Sequence, residues 1–344
     1  MNRHPVIDLI SINCYSATPK YLQIANSILS AIREGAIEKD ETLPSINELS
    51  YGCDISRDTA EKGYKYLKKI GILDAIPGKN YFIKSTVYHP QPNILLLANK
   101  LNAHKKIIYD SLVASLEDTV FIDFYVYNND YNYFKTLLQN NSQNYTHYVV
   151  IPHFTEGSER IHEFLNSVIP SDRLIVVDKP IQGIKGEYGA VCQNFKSDIF
   201  KAMEEALGVL SKYQKVKIIF PEDAHHPKEI LAGLSAFCDK YSFDFQIISS
   251  LAEEVIEKHT VYISITESDL ISLVEKAIAS PFKVGEDVGV ISYNETPLKK
   301  VILNGITTVS TDFQMMGRKA AQLIQNNAKE HIDVPFYLTL RASL

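Results

Sequence analysis

Cysteine is sparse in this chain. There are four in 344 residues, Cys14, Cys53, Cys192 and Cys238, far apart and with no C-x-x-C. That spacing supplies no disulfide framework, and it predicts buried free thiols in a reduced, cytosolic protein. No apolar run approaches the ~20 residues of a membrane helix. The opening residues MNRHPVIDLI lack the organisation of a signal peptide. Neither G-x-S-x-G nor H-E-x-x-H occurs. Gly183, Gly186 and Gly189 give G-x-x-G-x-x-G, which is not the dinucleotide fingerprint and is expected to form a flexible loop. The adjacent His225 and His226 point apart and have no third ligand at metal-site spacing, so a solvated loop is expected and no metal. Carboxylates are plentiful, but none forms a recognisable acid–base dyad. No cofactor is expected.

What is present has the composition of a soluble globular protein, 45% apolar and 22% charged. The length suits two or three domains. The formal net charge is −6, which opposes nucleic-acid binding until its distribution is considered. From Arg57 to Lys84 there are seven Lys or Arg (57, 62, 65, 68, 69, 79, 84) against three acids (Asp58, Glu61, Asp74), a local excess of four positive charges. A basic face therefore stands where a phosphate backbone would lie.

That basic stretch has its own grammar. Ser45 and Glu48 form an S-x-x-E capping box, which starts a short helix through Leu49. Gly52 breaks it. Ser56 caps a second helix with Ala60, Tyr64 and Leu67 on one face, and Gly71 ends it. Two β-like runs follow, Ile72 to Ile76 and Tyr81 to Ile83, joined by the turn Pro77-Gly78-Lys79-Asn80. Before them, Thr18 is expected to cap a helix with Pro19 in its first turn, Tyr21, Ala25, Ile28 and Ile32 on one face, and Gly35 at its end. Residues 1–17 are expected to be an arm. Together this is a winged helix-turn-helix, whose second helix enters the DNA major groove.

The motifs Pro44-Ser45 with Glu48-Leu49, Ile55-Ser56-Arg57-x-Thr59, Leu67, Gly71 and Gly78 resemble the GntR-type winged helix over roughly residues 19–84. Asn47 and Glu61 stand where that family often has arginine. The resemblance implies DNA binding, with Arg57 at a base-contacting position. The expected DNA-binding residues are Ser45, Asn47, Ser56, Arg57, Thr59, Lys62, Lys65, Lys68, Gly78 and Lys79.

Lys84 to Pro92 is polar, carries two prolines and reads as a linker, with the DNA-binding domain at 1–84 and the linker proper at 85–92. After it, Val- and Ile-rich runs alternate with amphipathic helices through two cycles of about 100 residues. That is the pattern of two doubly wound parallel-sheet lobes in an α/β fold. One helix is expected from Ser158 to Val168 and another from Lys196 to Tyr213. Lobe one is expected at about 93–190 plus 306–330, and lobe two at about 191–305 plus 331–344.

Ile94-Leu95-Leu96-Leu97, Val149-Val150-Ile151-Pro152, Val176-Val177-Asp178-Lys179, Gly285 to Val290, Ser292 to Pro297, Ile306 to Val309, Met316 to Ala321 and Arg341-Ala342-Ser343 follow one another in LacI-type order. From Asn93 onward the chain thus resembles the effector domain of LacI-type regulators, itself similar to periplasmic sugar-binding proteins. A GntR-type headpiece on such a domain resembles the arabinose-repressor architecture.

Ligands of doubly wound sheets bind outside the carboxyl ends of the strands, between the lobes. The polar residues just past the strands are Asn99, Lys100, Asn102, His104, His153, Asp178, Lys179, Asn194, His225, His226, Lys228, Glu229, Glu267, Asp269, Tyr293 and Asn294, with Phe154 and Phe195 beside them. Sugars need such groups for their hydroxyls and an aromatic face for their C–H side. The expected effector-binding set is Asn102, His104, His153, Asp178, Lys179, Asn194, Phe195, Lys228, Glu229, Asp269 and Asn294. By resemblance, Asp178, Asp269 and Asn294 fall at LacI-type contact positions, and Ile230 replaces an arginine that family often carries. The expectation is a cytoplasmic, homodimeric transcriptional regulator, a repressor, that binds operator DNA and a sugar or sugar phosphate. The alternatives are a winged helix fused to an aminotransferase-type enzyme, or a sugar-binding protein without DNA function.

Overall fold

In the computed structural model the chain divides into two units, Met1–Pro90 and Gln91–Leu344. The structure describes residues 4–12, 19–75, 80–87, 92–116, 120–141, 145–221 and 226–344.

The first unit contains helices α1 (Pro5–Asp8), α2 (Lys20–Arg33), α3 (Ile46–Gly52) and α4 (Arg57–Lys69), then strands β1 (Leu73–Ala75) and β2 (Tyr81–Ile83). The expected arm is, over residues 4–12, part of the core instead. Val6 is buried with Ile24, Ile28 and Leu67, and Ile10 and Ile12 pack against the same cluster. Pro19 occupies the N-cap position of α2; Thr18, expected there, lies outside the described residues. Both halves of the capping box form on α3: Glu48 N donates to Ser45 Oγ at 3.2 Å and Ser45 N donates to Glu48 Oε2 at 2.8 Å. The helix then runs on to Gly52. Ser56 Oγ accepts from Thr59 N at 3.2 Å and starts α4, which buries Ala60, Tyr64 and Leu67. Gly71, at φ +77°, lets the chain turn out of the helix. The wing pairs antiparallel, Leu73 opposite Ile83, with Thr42 bridging to Phe82. Pro77, Gly78 and Lys79 of its turn lie outside the described residues.

The second unit runs β3 (Asn93–Ala98), α5 (Ala103–Ser115), β4 (Phe121–Val126), α6 (Tyr131–Asn141), β5 (His147–Ile151), α7 (Ile161–Val168), β6 (Leu174–Asp178) and β7 (Gly189–Cys192). It continues α8 (Phe195–Glu205), α9 (Leu207–Leu210), β8 (Lys215–Ile219), α10 (Glu229–Tyr241), β9 (Asp244–Ile248), β10 (Thr260–Ser264), α11 (Glu267–Ala279) and β11 (Val288–Tyr293). It ends β12 (Thr307–Thr311), α12 (Phe313–Gln325), β13 (His331–Asp333) and β14 (Phe336–Thr339). Lobe one is the sheet β13-β7-β6-β5-β3-β4 and lobe two the sheet β14-β12-β11-β10-β8-β9. Pairing within both is parallel except that β14 runs antiparallel to β12. The strands are near-continuous apolar runs because helices cover both faces. The chain crosses between lobes after Cys192, after Thr311 and after Asp333.

The lobe boundaries differ from those expected. β12 belongs to lobe two and β13 to lobe one, so the crossings fall near 312 and 334 instead of 306 and 331. β12 is buried on both faces and suits either sheet, and β13 is a three-residue edge strand with exposed ends, so the residues of neither say which sheet it joins. β7 was hidden in the glycine-rich stretch read as a loop. Gly183 and Gly186 do turn there, at φ +86° and +81°, but Gly189 opens a strand. The helix expected from Lys196 to Tyr213 is two, α8 and α9, meeting at Ala206. The helix expected from Ser158 begins at Ile161.

The α5–α12 contact sets one wall of the cleft described below. At Gly317 an added Cβ would lie 2.4 Å from the Ile108 carbonyl oxygen and 2.9 Å from the Leu112 nitrogen. Gly317→Ala should therefore push α5 off α12 and cost about 1–3 kcal/mol, read as a lower Tm by circular dichroism. An unchanged Tm would mean that the helices do not meet so closely.

Candidate functional site

On the first unit, α3 and α4 present Asn47, Ser56 and Arg57 to solvent. Arg57 is the first residue of α4 and makes no ion pair among the described residues. Ser56 Oγ and Thr59 Oγ1 lie 2.8 Å apart, and Ser45 is spent on its cap. The expected lysines are paired with acids: Lys62 with Asp58 at 2.7 Å, Lys65 with Glu61 at 2.7 Å and Lys68 with Asp74 at 3.1 Å. Such exposed pairs are weak and exchange readily for a phosphate. Thr59, Lys62 and Lys65 come together with Pro19, Lys20 and Tyr21 around a shallow groove. Gly78 and Lys79 lie outside the described residues.

In the second unit, strand order reverses beside β3 in lobe one and beside β8 in lobe two. Crevices at such switch points lie at the carboxyl ends of the strands. A cleft sits there, with an enclosed volume of about 80 Å³, smaller than the roughly 300–1,000 Å³ usual for small-molecule sites. Lobe one lines it with Asn99, Lys100, Asn102, His104, Lys105, His153, Asp178 and Phe313. Gln193 of the first crossover and Phe195, His226, Pro227, Ile230, Tyr293 and Asn294 of lobe two complete it. Asp178 and Asn294 follow corresponding strands of the two sheets, and both hold left-handed backbone, φ +78° and +63°. Non-glycine residues in that region are strained and concentrate at functional sites.

Asp178 is the floor of the cleft and is 2% exposed. Its Oδ2 takes the Lys105 ammonium and His153 Nε2 at 2.7 Å; its Oδ1 takes the Gln193 amide. Burial pushes this carboxyl up, but Lys105 and His153 more than offset it, and its pKa is held well below the usual carboxylate range. Burial pushes the His153 pKa down against the pull of Asp178, and facing an ionised carboxylate its Nε2 donates. Across the cleft, Lys299 is 2% exposed and donates to the carbonyls of Tyr293 at 3.1 Å and Asn294 at 2.7 Å. Burial pushes its pKa down to about 8. Its ammonium fixes the strained corner of lobe two.

Several buried polar atoms around the cleft have no protein partner. Among the described residues eight buried side-chain N or O atoms lack one, and four of them line this cleft: Asn99 Oδ1, His104 Nε2, Tyr293 OH and Asn294 Oδ1. Buried polar groups without partners are uncommon and costly. Phe313 lies against His104, ring centroids 5.0 Å apart, and with Phe195 supplies an aromatic wall.

Of the residues expected to bind effector, Asn102, His104, His153, Asp178, Phe195 and Asn294 line this cleft. Asn102 also caps α5, its Oδ1 accepting from Lys105 N at 2.9 Å. Lys179, Asn194 and Glu229 line a neighbouring hollow with Lys196, His331 and Asp333, and Asn194 caps α8. Lys228 is exposed before α10. Asp269 closes the cap of α11, its Oδ2 accepting from Thr266 Oγ1 at 2.6 Å. Lys105, Gln193, Lys299 and Phe313 were not anticipated. In Lys105-Lys106 nothing in the sequence marks which lysine turns inward.

No family model matches this chain. It is 28% identical over 102 residues to the arabinose metabolism transcriptional repressor of Geobacillus stearothermophilus, covering 30% of this chain and 28% of that protein. It is 27% identical over 113 residues to the HTH-type transcriptional repressor YtrA of Bacillus subtilis (strain 168), covering 32% of this chain and 83% of that protein. The trehalose repressor from Escherichia coli superposes with a TM-score of 0.60 at 14% identity, over 72% of this chain and 100% of that one. A lac repressor bound to ONPG superposes with a TM-score of 0.60 at 14% identity, over 84% of this chain and 92% of that one. A LacI family regulator from Lactobacillus casei with bound glucose gives 0.57 at 14%, over 73% of this chain and 99% of that one. The two parallel-sheet lobes thus have the LacI-type, periplasmic-binding-protein-like fold.

Two histidines give the molecule an acid limit. Burial pushes His104 down to about 4 from 6.5, and His147, at the start of β5, down to about 4. The unfolded chain binds these protons more readily than the folded one. Stability is therefore full above about pH 6.5 and is lost progressively as the pH falls towards 4. Tm measured by calorimetry should decline across that window and less steeply in the His147→Gln variant. Identical slopes would mean that His147 is not held neutral.

Proposed function

We propose that this protein is a sequence-specific transcriptional repressor whose operator affinity is set by a sugar or sugar phosphate bound between its two lobes. The observation that carries it is the set of four unpartnered polar atoms in the cleft, two from each lobe. A polyol offers hydroxyls that both donate and accept, so one molecule meets acceptors such as Asn99 Oδ1 and a donor such as the Tyr293 hydroxyl. Phe195 and Phe313 suit the C–H face of a ring. A ligand touching both lobes binds the closed form best and shifts the population towards it. The winged helix and the repressors to which the chain is similar support the DNA half of the proposal.

The finer assignments follow. The headpiece is GntR-type, with Arg57 reading base edges and Lys62, Lys65 and Lys68 turning from their acidic partners to phosphates. The protein works in the cytoplasm as a homodimer on paired half-sites. It is a binding protein, not an enzyme. The sequence resembles a regulator of an L-fucose utilisation operon, so L-fucose is the first sugar to test. Lys179, Asn194, Lys228, Glu229 and Asp269 are not assigned to the effector.

A thermal-shift screen of the full chain against L-fucose, L-arabinose, other monosaccharides and their phosphates should find a stabilising sugar, worth about 2.7 kcal/mol at a hundred times its Kd. Silence towards all of them would remove the sugar. Tyr293→Phe deletes one donor and should lower that sugar's affinity by roughly tenfold. In mobility-shift titrations Arg57→Ala should lose about 1–3 kcal/mol on the specific operator while keeping the sugar-induced thermal shift. Unchanged operator affinity would remove α4 from the groove.

A further inference from the structure

Gln193 sits where the cleft meets the crossovers. It lies between β7 and α8, is 5% exposed and lines the cleft. Its side-chain amide donates to Asp178 Oδ1, and its backbone N donates to Asp178 O at 3.0 Å. Its Oε1 accepts from Thr311 Oγ1 at 2.5 Å. Thr311 is the last residue of β12, at the start of the second crossover. The third crossover is tied to the other two through its backbone: Val334 N donates to Cys192 O at 2.9 Å and Asp312 N donates to Pro335 O at 3.0 Å. The orientation of the amide is forced. An ionised carboxylate accepts only donors, so Nε2 faces Asp178 and Oε1 is left for the threonine.

We propose that Gln193 is a positioning residue that couples what occupies the cleft to the angle between the lobes. Asp178 shares its charge between two sides. Lys105 and His153 hold Oδ2 and face the cleft; Gln193 holds Oδ1 and faces the hinge. A ligand acceptor that draws the Lys105 ammonium or the His153 N–H onto itself leaves Gln193 as the main donor to Asp178. In a buried network that remaining bond strengthens. The amide is planar and rigid, so a pull on Nε2 is a pull on Oε1, and Thr311 follows. In reverse, a rotation at the crossovers that parts Thr311 from Gln193 disturbs the floor of the cleft. The coupling is reciprocal because it is one free energy seen from two ends. It travels through a contiguous chain of bonds with made and broken states.

The inference rests on the effector reading only for what enters the cleft, and its test needs no effector. Hydrogen exchange by mass spectrometry is measured on the full chain for wild type, Thr311→Val and Thr311→Ser. Valine keeps the shape and deletes the hydroxyl; serine restores it. Exchange in Thr311→Val should rise at least tenfold at the crossovers and also at residues 151–155 and 178–180, the far end of the network, and return towards wild type in Thr311→Ser. Change confined to 192–194 and 309–313, or no rescue by serine, would overturn the coupling. His153→Leu tests the opposite direction and keeps the question open to disproof should Thr311→Val fail to fold. It should alter exchange at Asp312 and Val334 severalfold, and unaltered exchange there would also overturn the proposal. A positive sugar screen with a negative exchange result would leave the sugar and remove Gln193. A silent screen with a positive exchange result would do the reverse.

Discussion

An ionised carboxylate in a protein interior must be paired, and Asp178 is such a group. Its needs organise lobe one. Lys105 comes from the first turn of α5, His153 from the end of β5 and Gln193 from the first crossover, and each is held in place partly by its bond to Asp178. Removing one partner of a buried ion pair costs far more than the pair contributes, so these elements have little freedom to drift. α5 is pressed from behind by α12 through Gly317. The floor of the cleft is thereby rigid, charged and internally satisfied.

Lobe two answers with the same topology and a different chemistry. Asn294 stands after β11 as Asp178 ends β6, with the same left-handed backbone. Its corner is neutral and is held from below by Lys299 through backbone carbonyls. The Asp178 carboxylate, by contrast, has its partners within lobe one and the first crossover. Each lobe also leaves two polar atoms unpartnered, Asn99 Oδ1 and His104 Nε2 in lobe one and the Tyr293 hydroxyl and Asn294 Oδ1 in lobe two. That arrangement suits a cleft in which a ligand adds contacts to both lobes and so completes closure.

Much of this was legible in the sequence. The capping box of Ser45 and Glu48, the Ser56 cap, the helix-ending Gly71 and the 3.6- and 2-residue periodicities are local signals, and the elements they mark are present. The winged unit was visible because Ser45, Glu48 and Ser56 act on amides three residues away at most. What was lost needed distant partners. The apolar residues of the supposed arm found a core that the sequence does not display beside them. β12 and β13 were given to the wrong lobes because a buried strand such as β12 or a short edge strand such as β13 fits either sheet. Polar residues at strand ends divided between caps and cleft: Asp269 caps, Asn294 lines the cleft, and Asn102 does both. Lys105 and Gln193 were missed because each is defined by Asp178, 73 and 15 residues away. Spacing does not encode such a pair.

The central claim is that one chain joins a DNA-reading headpiece to a sugar-closed cleft. It is tested most directly by fluorescence anisotropy on an operator selected by the full-length protein from random DNA. The titration is run without sugar and at saturating concentration of the sugar that scores in the thermal screen. A coupled regulator changes its operator Kd by about 5- to 150-fold between the two. Equal affinities with the cleft filled would contradict the account.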